Sequence, residues 1–225
     1  MKLKKIASLA LAGVMAVSML TACDTASNGN TNGNDDVIVT PVPTSIVTAV
    51  NDGQSATNDV KINFTSDATL DAALANAVKS RGDIGTQFEI EKVISGLTGV
   101  KVGIDEVQGE PGWTWDDGVY GFGAHWDFDA SVDGKSITAL AVMRLDGVLS
   151  EDAALKNAAK RIDEEVAKLT ATTYGRVSAD DKYTDYAYTG TVSMVSAETV
   201  AGTTNYFVAY TITQTTSVKT LAPQA

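Results

Sequence analysis

One cysteine, Cys23, stands in a chain of 225 residues, so no disulfide can form within it. A fold built from this sequence is held by packing and hydrogen bonds, without a covalent staple. Hydrophobic residues make up 44% of the chain, enough to bury a real core. The length suits one domain of ordinary size with segments to spare.

The position of that cysteine narrows the reading further. Met1 to Lys5 is basic, Ile6 to Leu20 is apolar, and Leu20-Thr21-Ala22-Cys23 closes the stretch with small residues. A short basic segment, an apolar run of about 15 residues and a small-residue cut site have the layout of a secretory signal. The run falls short of the roughly 20 residues that span a bilayer comfortably. Leu20-Thr21-Ala22-Cys23 resembles the lipobox of bacterial lipoproteins. That resemblance implies removal of residues 1–22, a lipid on Cys23 and an extracytoplasmic domain anchored to a membrane. More than one acyl chain would make the anchoring stable, since a single chain binds only marginally. Lipidation would also consume the sole thiol, which removes thiol catalysis from consideration.

Charge limits the partners. Three of the 17 basic residues and none of the 28 acids fall in residues 1–22, so the remainder carries 14 against 28, a formal −14. Such a surface repels phosphate backbones, and nucleic acid is not an expected partner.

Past Cys23 the composition turns to Asn, Gly, Thr, Ser and Asp over residues 24–36, which offers nothing to bury. Val37 to Val50 is rich in β-branched residues with Pro41 and Pro43 interleaved, which predicts an extended spacer or an edge strand. Residues 23–59 are therefore expected to be a lipidated tether with an r.m.s. reach of roughly 30–35 Å. The folded domain is expected over 60–218, with 219–225 as a tail.

Within that domain Val60, Ile62 and Phe64 alternate as a strand would. Ser66-Asp67 offers cap chemistry to a helix carrying Leu70, Ala73, Leu74, Ala77 and Val78 on one stripe. Thr86 with Glu89 resembles a capping box before Ile90, Val93, Ile94 and Leu97. Period two then returns at Val100, Val102 and Ile104, and again from Tyr120 to Phe128. Asp133-Gly134 signals a turn, and Ile137 to Leu145 reads as a central strand. Ser150 caps a long helix with Leu155, Ala158, Ala159, Ile162, Val166 and Leu169 as its stripe. Strands are expected near 172–177, 183–195 and 205–217.

Helices followed by strands, twice over, predict an α+β fold: an antiparallel sheet with helices packed on one face. The order also admits two helix-plus-three-strand halves, although no sequence identity links them. By architecture it resembles the cystatin-like and β-lactamase-inhibitor-like lipoprotein domains, a likeness that carries no function.

The densest chemistry lies in residues 110–129. Trp113 and Trp115 are two apart and would share one face of an extended segment, beside Glu110, Asp116 and Asp117. Flat rings next to carboxylates suit a sugar: apolar stacking plus acceptors for hydroxyls. The alternative is that both rings close over the core. His125, Asp127 and Asp129 share a strand face, but at about 6.6 Å between successive same-face residues one ion cannot take all three. No cofactor or metal is expected. Arg81-Gly82-Asp83 spells an integrin-type tripeptide in which Gly82 already serves as a helix stop. Tyr183, Tyr186, Tyr188, Tyr206 and Tyr210 have strand spacing and read as packing residues, and Asp163-Glu164-Glu165 reads as a solvated helix face.

No G-x-S-x-G elbow occurs, and a single His would have to serve any triad. The expected function is a cell-surface, lipid-anchored binding domain for a glycan or an envelope protein, with the membrane as its partner through Cys23. The alternative is a membrane-proximal hydrolase using carboxylates in 105–129.

Overall fold

A computed structural model of the chain describes residues 38–81, 87–102, 133–145, 147–172, 182–198 and 202–220. The elements are β1 (Ile38–Pro41), α1 (Pro43–Gly53), β2 (Phe64–Thr65), α2 (Ala68–Arg81), α3 (Gln87–Thr98), β3 (Lys101–Val102), β4 (Ser136–Leu145), α4 (Glu151–Val166), β5 (Lys182–Glu198) and β6 (Thr204–Thr220).

The sheet has the order β1-β5-β6-β4-β3, and β2 also pairs with β5. β5 and β6 form its spine, antiparallel over their whole length from Lys182↔Thr220 to Glu198↔Thr204. β4 runs antiparallel to β6, and β1 antiparallel to β5. β2 and β3 add short parallel pairings to β5 and β4. The α+β fold with an antiparallel sheet is thus as expected. Both halves of the chain contribute to one interleaved sheet, since β2 docks on β5 and β4 on β6. The strand order is not that of a simple meander.

Helices cover both faces rather than one. On one face α1 and α4 pack with Ala139, Ala141, Met143, Val192, Met194, Val208 and Ile212. On the other, α2 and α3 pack with Leu140, Val142, Val195, Ala197, Phe207 and Ala209. Side chains alternate across a strand, so the apolar run of β4 feeds both cores. A central strand apolar on both sides requires such a sandwich.

The tether expected over 23–59 is corrected from Ile38 onward. Pro41 does end an edge strand, but Pro43 takes the first turn of α1, where its missing N–H costs nothing. Ile46 and Val50 then lie one turn apart, fully buried against the sheet. Two amides fasten the following segment. Asn51 accepts from the Phe64 N–H and donates to the Phe64 carbonyl, both at 2.9 Å. Gln54 does the same for Ile62, at 2.9 and 2.6 Å. Their i, i+3 spacing on the helix matches an i, i+2 step along the extended chain, so the amides stand in for a neighbouring strand. Asp163 of α4 holds the loop between them, accepting from the Ser55 N–H at 2.8 Å and from Asn58 Nδ2 at 2.7 Å. Asp163 is therefore not simply part of a solvated face. Glu164 and Glu165 are closer to that description, pairing with Lys160 and Lys168.

α2 and α4 follow their caps. The Leu70 N–H donates to Asp67 Oδ1 at 2.8 Å, and the Ala153 N–H to the Ser150 hydroxyl at 3.3 Å. Leu155, Ala158, Ala159, Ile162, Val166 and Leu169 are all buried, as their spacing required. No helix among the described residues is long and apolar enough to cross a membrane.

Candidate functional site

Along the α2/α3 face of the sheet the chemistry changes abruptly from one end to the other. Reading β6, Phe207 and Ala209 lie under the helices, and Thr211, Thr213, Thr215 and Ser217 continue the same face. On β4, Val142 and Leu140 give way to Thr138 and Ser136; on β5, Val195 and Ser193 give way to Thr191 and Thr189. The registers Ser136↔Thr215, Thr138↔Thr213 and Thr191↔Thr211 set these hydroxyls opposite one another.

They pair accordingly. Thr138 and Thr213 share a hydrogen bond at 2.7 Å, as do Thr191 with Thr211 and Ser136 with Thr215. Each such bond uses one donor and one lone pair, so each pair keeps a second hydroxyl proton and further lone pairs. β-Branched Thr is stiff at χ1, and the cross-strand bond fixes it further. Ser136 and Thr189 are exposed; Thr138, Thr191, Thr213 and Thr215 are half-buried; Thr211 is buried. Neighbouring strands lie about 4.8 Å apart and same-face residues about 6.6 Å, so the hydroxyls approximate a planar lattice.

A carboxylic acid stands at the boundary between the helix-covered and hydroxyl ends. Asp71, in the first turn of α2, is raised above the ordinary carboxylate range. Burial is the main cause, opposed by a hydrogen bond from buried Ser193, with the nearby Asp67 carboxylate adding to the rise. One of its oxygens, Oδ1, is buried with no partner.

On the opposite face the same end of the ribbon is closed by a polar clasp. The Tyr188 hydroxyl donates to the Thr170 carbonyl and accepts from Gln214 Nε2, both at 2.9 Å. Burial pushes that phenol up to about 12. Tyr206 and Tyr210 are buried in the α1/α4 core and Tyr188 packs against it, which is the packing role expected of these strand tyrosines.

The candidate residues Glu110, Trp113, Trp115, Asp116 and Asp117, together with His125, Asp127, Asp129 and Cys23, lie outside the described residues. The chain leaves the described sheet at Val102, which pairs with Leu140, and returns at Asp133. There Asp133 Oδ1 accepts from the Val218 N–H at 2.9 Å, and the Gly134 N–H donates to the Thr216 carbonyl at 2.9 Å. Gly134 takes a positive φ of 70°, the turn conformation its dipeptide signalled. Of the integrin-type tripeptide only Arg81 is described, 4.0 Å from Glu89.

A shallow depression is lined by Asn51, Gln54, Lys61, Ile62 and Asn63. Asn51 and Gln54 are committed to the backbone bonds above, and Lys61 Nζ donates to the Ser55 carbonyl. Among the described residues no three His, Cys, Asp or Glu side chains gather where they could hold a metal ion.

Sequence reasoning did not single out the hydroxyl face. Its signal was present as Thr211-x-Thr213-x-Thr215 at period two, but opposite Thr and Ser residues on two other strands become neighbours only through the register. No protein family, curated protein or solved structure matches the chain.

Proposed function

We propose that this chain is a lipid-anchored, extracytoplasmic binding module whose ligand is a hydroxyl-rich polymer, a glycan of the cell envelope. The observation that carries the reading is the array of paired hydroxyls on β4, β6 and β5. Fixed hydroxyls with spare donors and acceptors match the hydrogen-bonding character of a polyol, and ordering them costs little entropy on binding. The repeat of the strands supplies the same contact several times over, which suits a repeating ligand. Glu110, Trp113, Trp115, Asp116 and Asp117 would add ring stacking and acceptors. They belong to a segment whose two described flanks, Val102 and Asp133, are both tied to the β4–β6 part of the sheet. Anchoring through Cys23 supplies the location, and the acidic surface keeps nucleic acid away.

Replacing Thr138, Thr191 and Thr213 together by Val removes hydroxyls while keeping shape and strand preference. Pull-down on purified cell-envelope glycan should then lose binding while the circular dichroism is unchanged. Replacing Trp113 and Trp115 by Ala should weaken it as well. Full binding by the triple Val variant would overturn the assignment of the face.

A further inference from the structure

The chain enters the fold at one end of the β5–β6 ribbon, and the hydroxyl face lies toward the other. β1 begins at Ile38, opposite Glu198, and Glu198 pairs in turn with Thr204 where β5 turns into β6. The loop after β4 reaches the same end, because Gly147 sits against the Thr204 carbonyl with no room for a Cβ. From Thr204 the rise of about 3.3 Å per residue puts the Thr191–Thr211 pair about 23 Å away and the Ser136–Thr215 pair about 36 Å away.

Three large apolar side chains are exposed among the described residues: Leu97 stands at the C-terminal end of α3, and the other two lie at the entry end. Ile38 is 63% exposed at the start of β1, and Val148 is 89% exposed beside Gly147. Scattered apolar residues on a surface are ordinary. These two come from separate elements and lie at the end from which the tether leaves. Only 14 residues, 24–37, separate Cys23 from Ile38. A flexible segment of that length has an r.m.s. reach of about 20 Å, well short of the ribbon's own length of about 50 Å.

We infer that the lipidated protein stands end-on, with Ile38 and Val148 against the lipid surface and the hydroxyl face held outward. This orientation rests on lipidation at Cys23. The partner of the entry end is the bilayer surface around the anchor, met through two apolar side chains. Lying flat would instead spread a strongly acidic protein along anionic headgroups, which repel it. Standing on the small end keeps most of that charge away and turns the polymer-binding face toward the envelope.

Lipidation at Cys23 leaves an introduced cysteine as the sole thiol, so single positions can be labelled. In the full lipidated protein on vesicles with nitroxide-bearing headgroups, a fluorophore on Glu198→Cys should be strongly quenched. The same fluorophore on Lys219→Cys, at the far end of the ribbon, should keep its emission. Adding Ile38→Asp and Val148→Asp should relieve the quenching at position 198 while the protein stays on the vesicles. Equal quenching at both positions, or stronger quenching at 219, would overturn the end-on orientation. A protein that partitions into the aqueous phase on detergent extraction would instead overturn the anchor itself, and the orientation with it.

Discussion

Glu91 is the one charged side chain that is buried among the described residues, at 3% exposure. Its Oε1 accepts from the Val142 N–H of β4 at 3.1 Å and from Gln87 Nε2 at 3.3 Å. β3 covers β4 only at Ala139 and Leu140, so at Val142 a helix carboxylate serves the backbone donor in place of a strand. Glu91→Ala leaves a buried N–H unpaired and should lower stability by about 1–3 kcal/mol in urea denaturation, with Glu91→Gln costing less. Asp71 couples stability to pH. Its folded pKa is raised, so the folded state binds the proton more tightly than the unfolded state. Its contribution to stability is therefore fully present below the unfolded value and is lost as pH rises through the folded one. Asp71→Asn should lose less stability than the wild type between pH 4 and pH 7. An unchanged difference between those two pH values would count against the half-buried acid.

At the scale of elements, α2, β4 and α4 were legible because period and caps agreed: Asp67 and Ser150 act as read, and the α2 and α4 stripes are buried. α3 was legible in part, since Phe88, Ile90, Val93 and Ile94 suit a strand as well, and of its expected stripe Ile90 and Ile94 are buried while Leu97 is 56% exposed. β5 and β6 were legible as Thr-, Tyr- and Val-rich runs. α1 was not. Pro41 and Pro43 with Ile46, Val47 and Val50 fit an extended chain as well as a helix, and only burial against the sheet and α4 decides between them. The assignment of helices to two faces was also hidden, since each stripe states that a face is buried but not against what. The hydroxyl face depends on register, which sets residues far apart in sequence side by side. Close packing offers a check on a different register, that of β2 on β5, where Phe64 stands opposite Gly190. A Cβ at Gly190 would stand 2.5 Å from the Phe64 ring. Gly190→Ala should therefore destabilise by about 1–3 kcal/mol through overpacking, and Phe64→Leu should recover part of the loss.

For the whole molecule, the described fold includes residues 38–59 and not only those from Val60 onward. Residues 38–59 supply an edge strand, a helix in the core and two amide pairs that hold the next segment. Loss of Ile46 and Val50 alone would remove about 3–6 kcal/mol of burial, against a total stability of about 5–15 kcal/mol. A chain starting at Asp36 should melt like one starting at Cys23, whereas one starting at Val60 should show no cooperative transition. If Cys23 carries the proposed lipid, only residues 24–37 lie between it and the described fold.

The most direct test of the binding face is a map of amide chemical shifts in the soluble domain on addition of envelope-derived oligosaccharides. Shifts should concentrate at residues 136–138, 189–191 and 211–215 and be absent from the Thr-to-Val variant. Shifts confined to the α1/α4 side, or none at saturating ligand, would contradict a glycan-binding hydroxyl face.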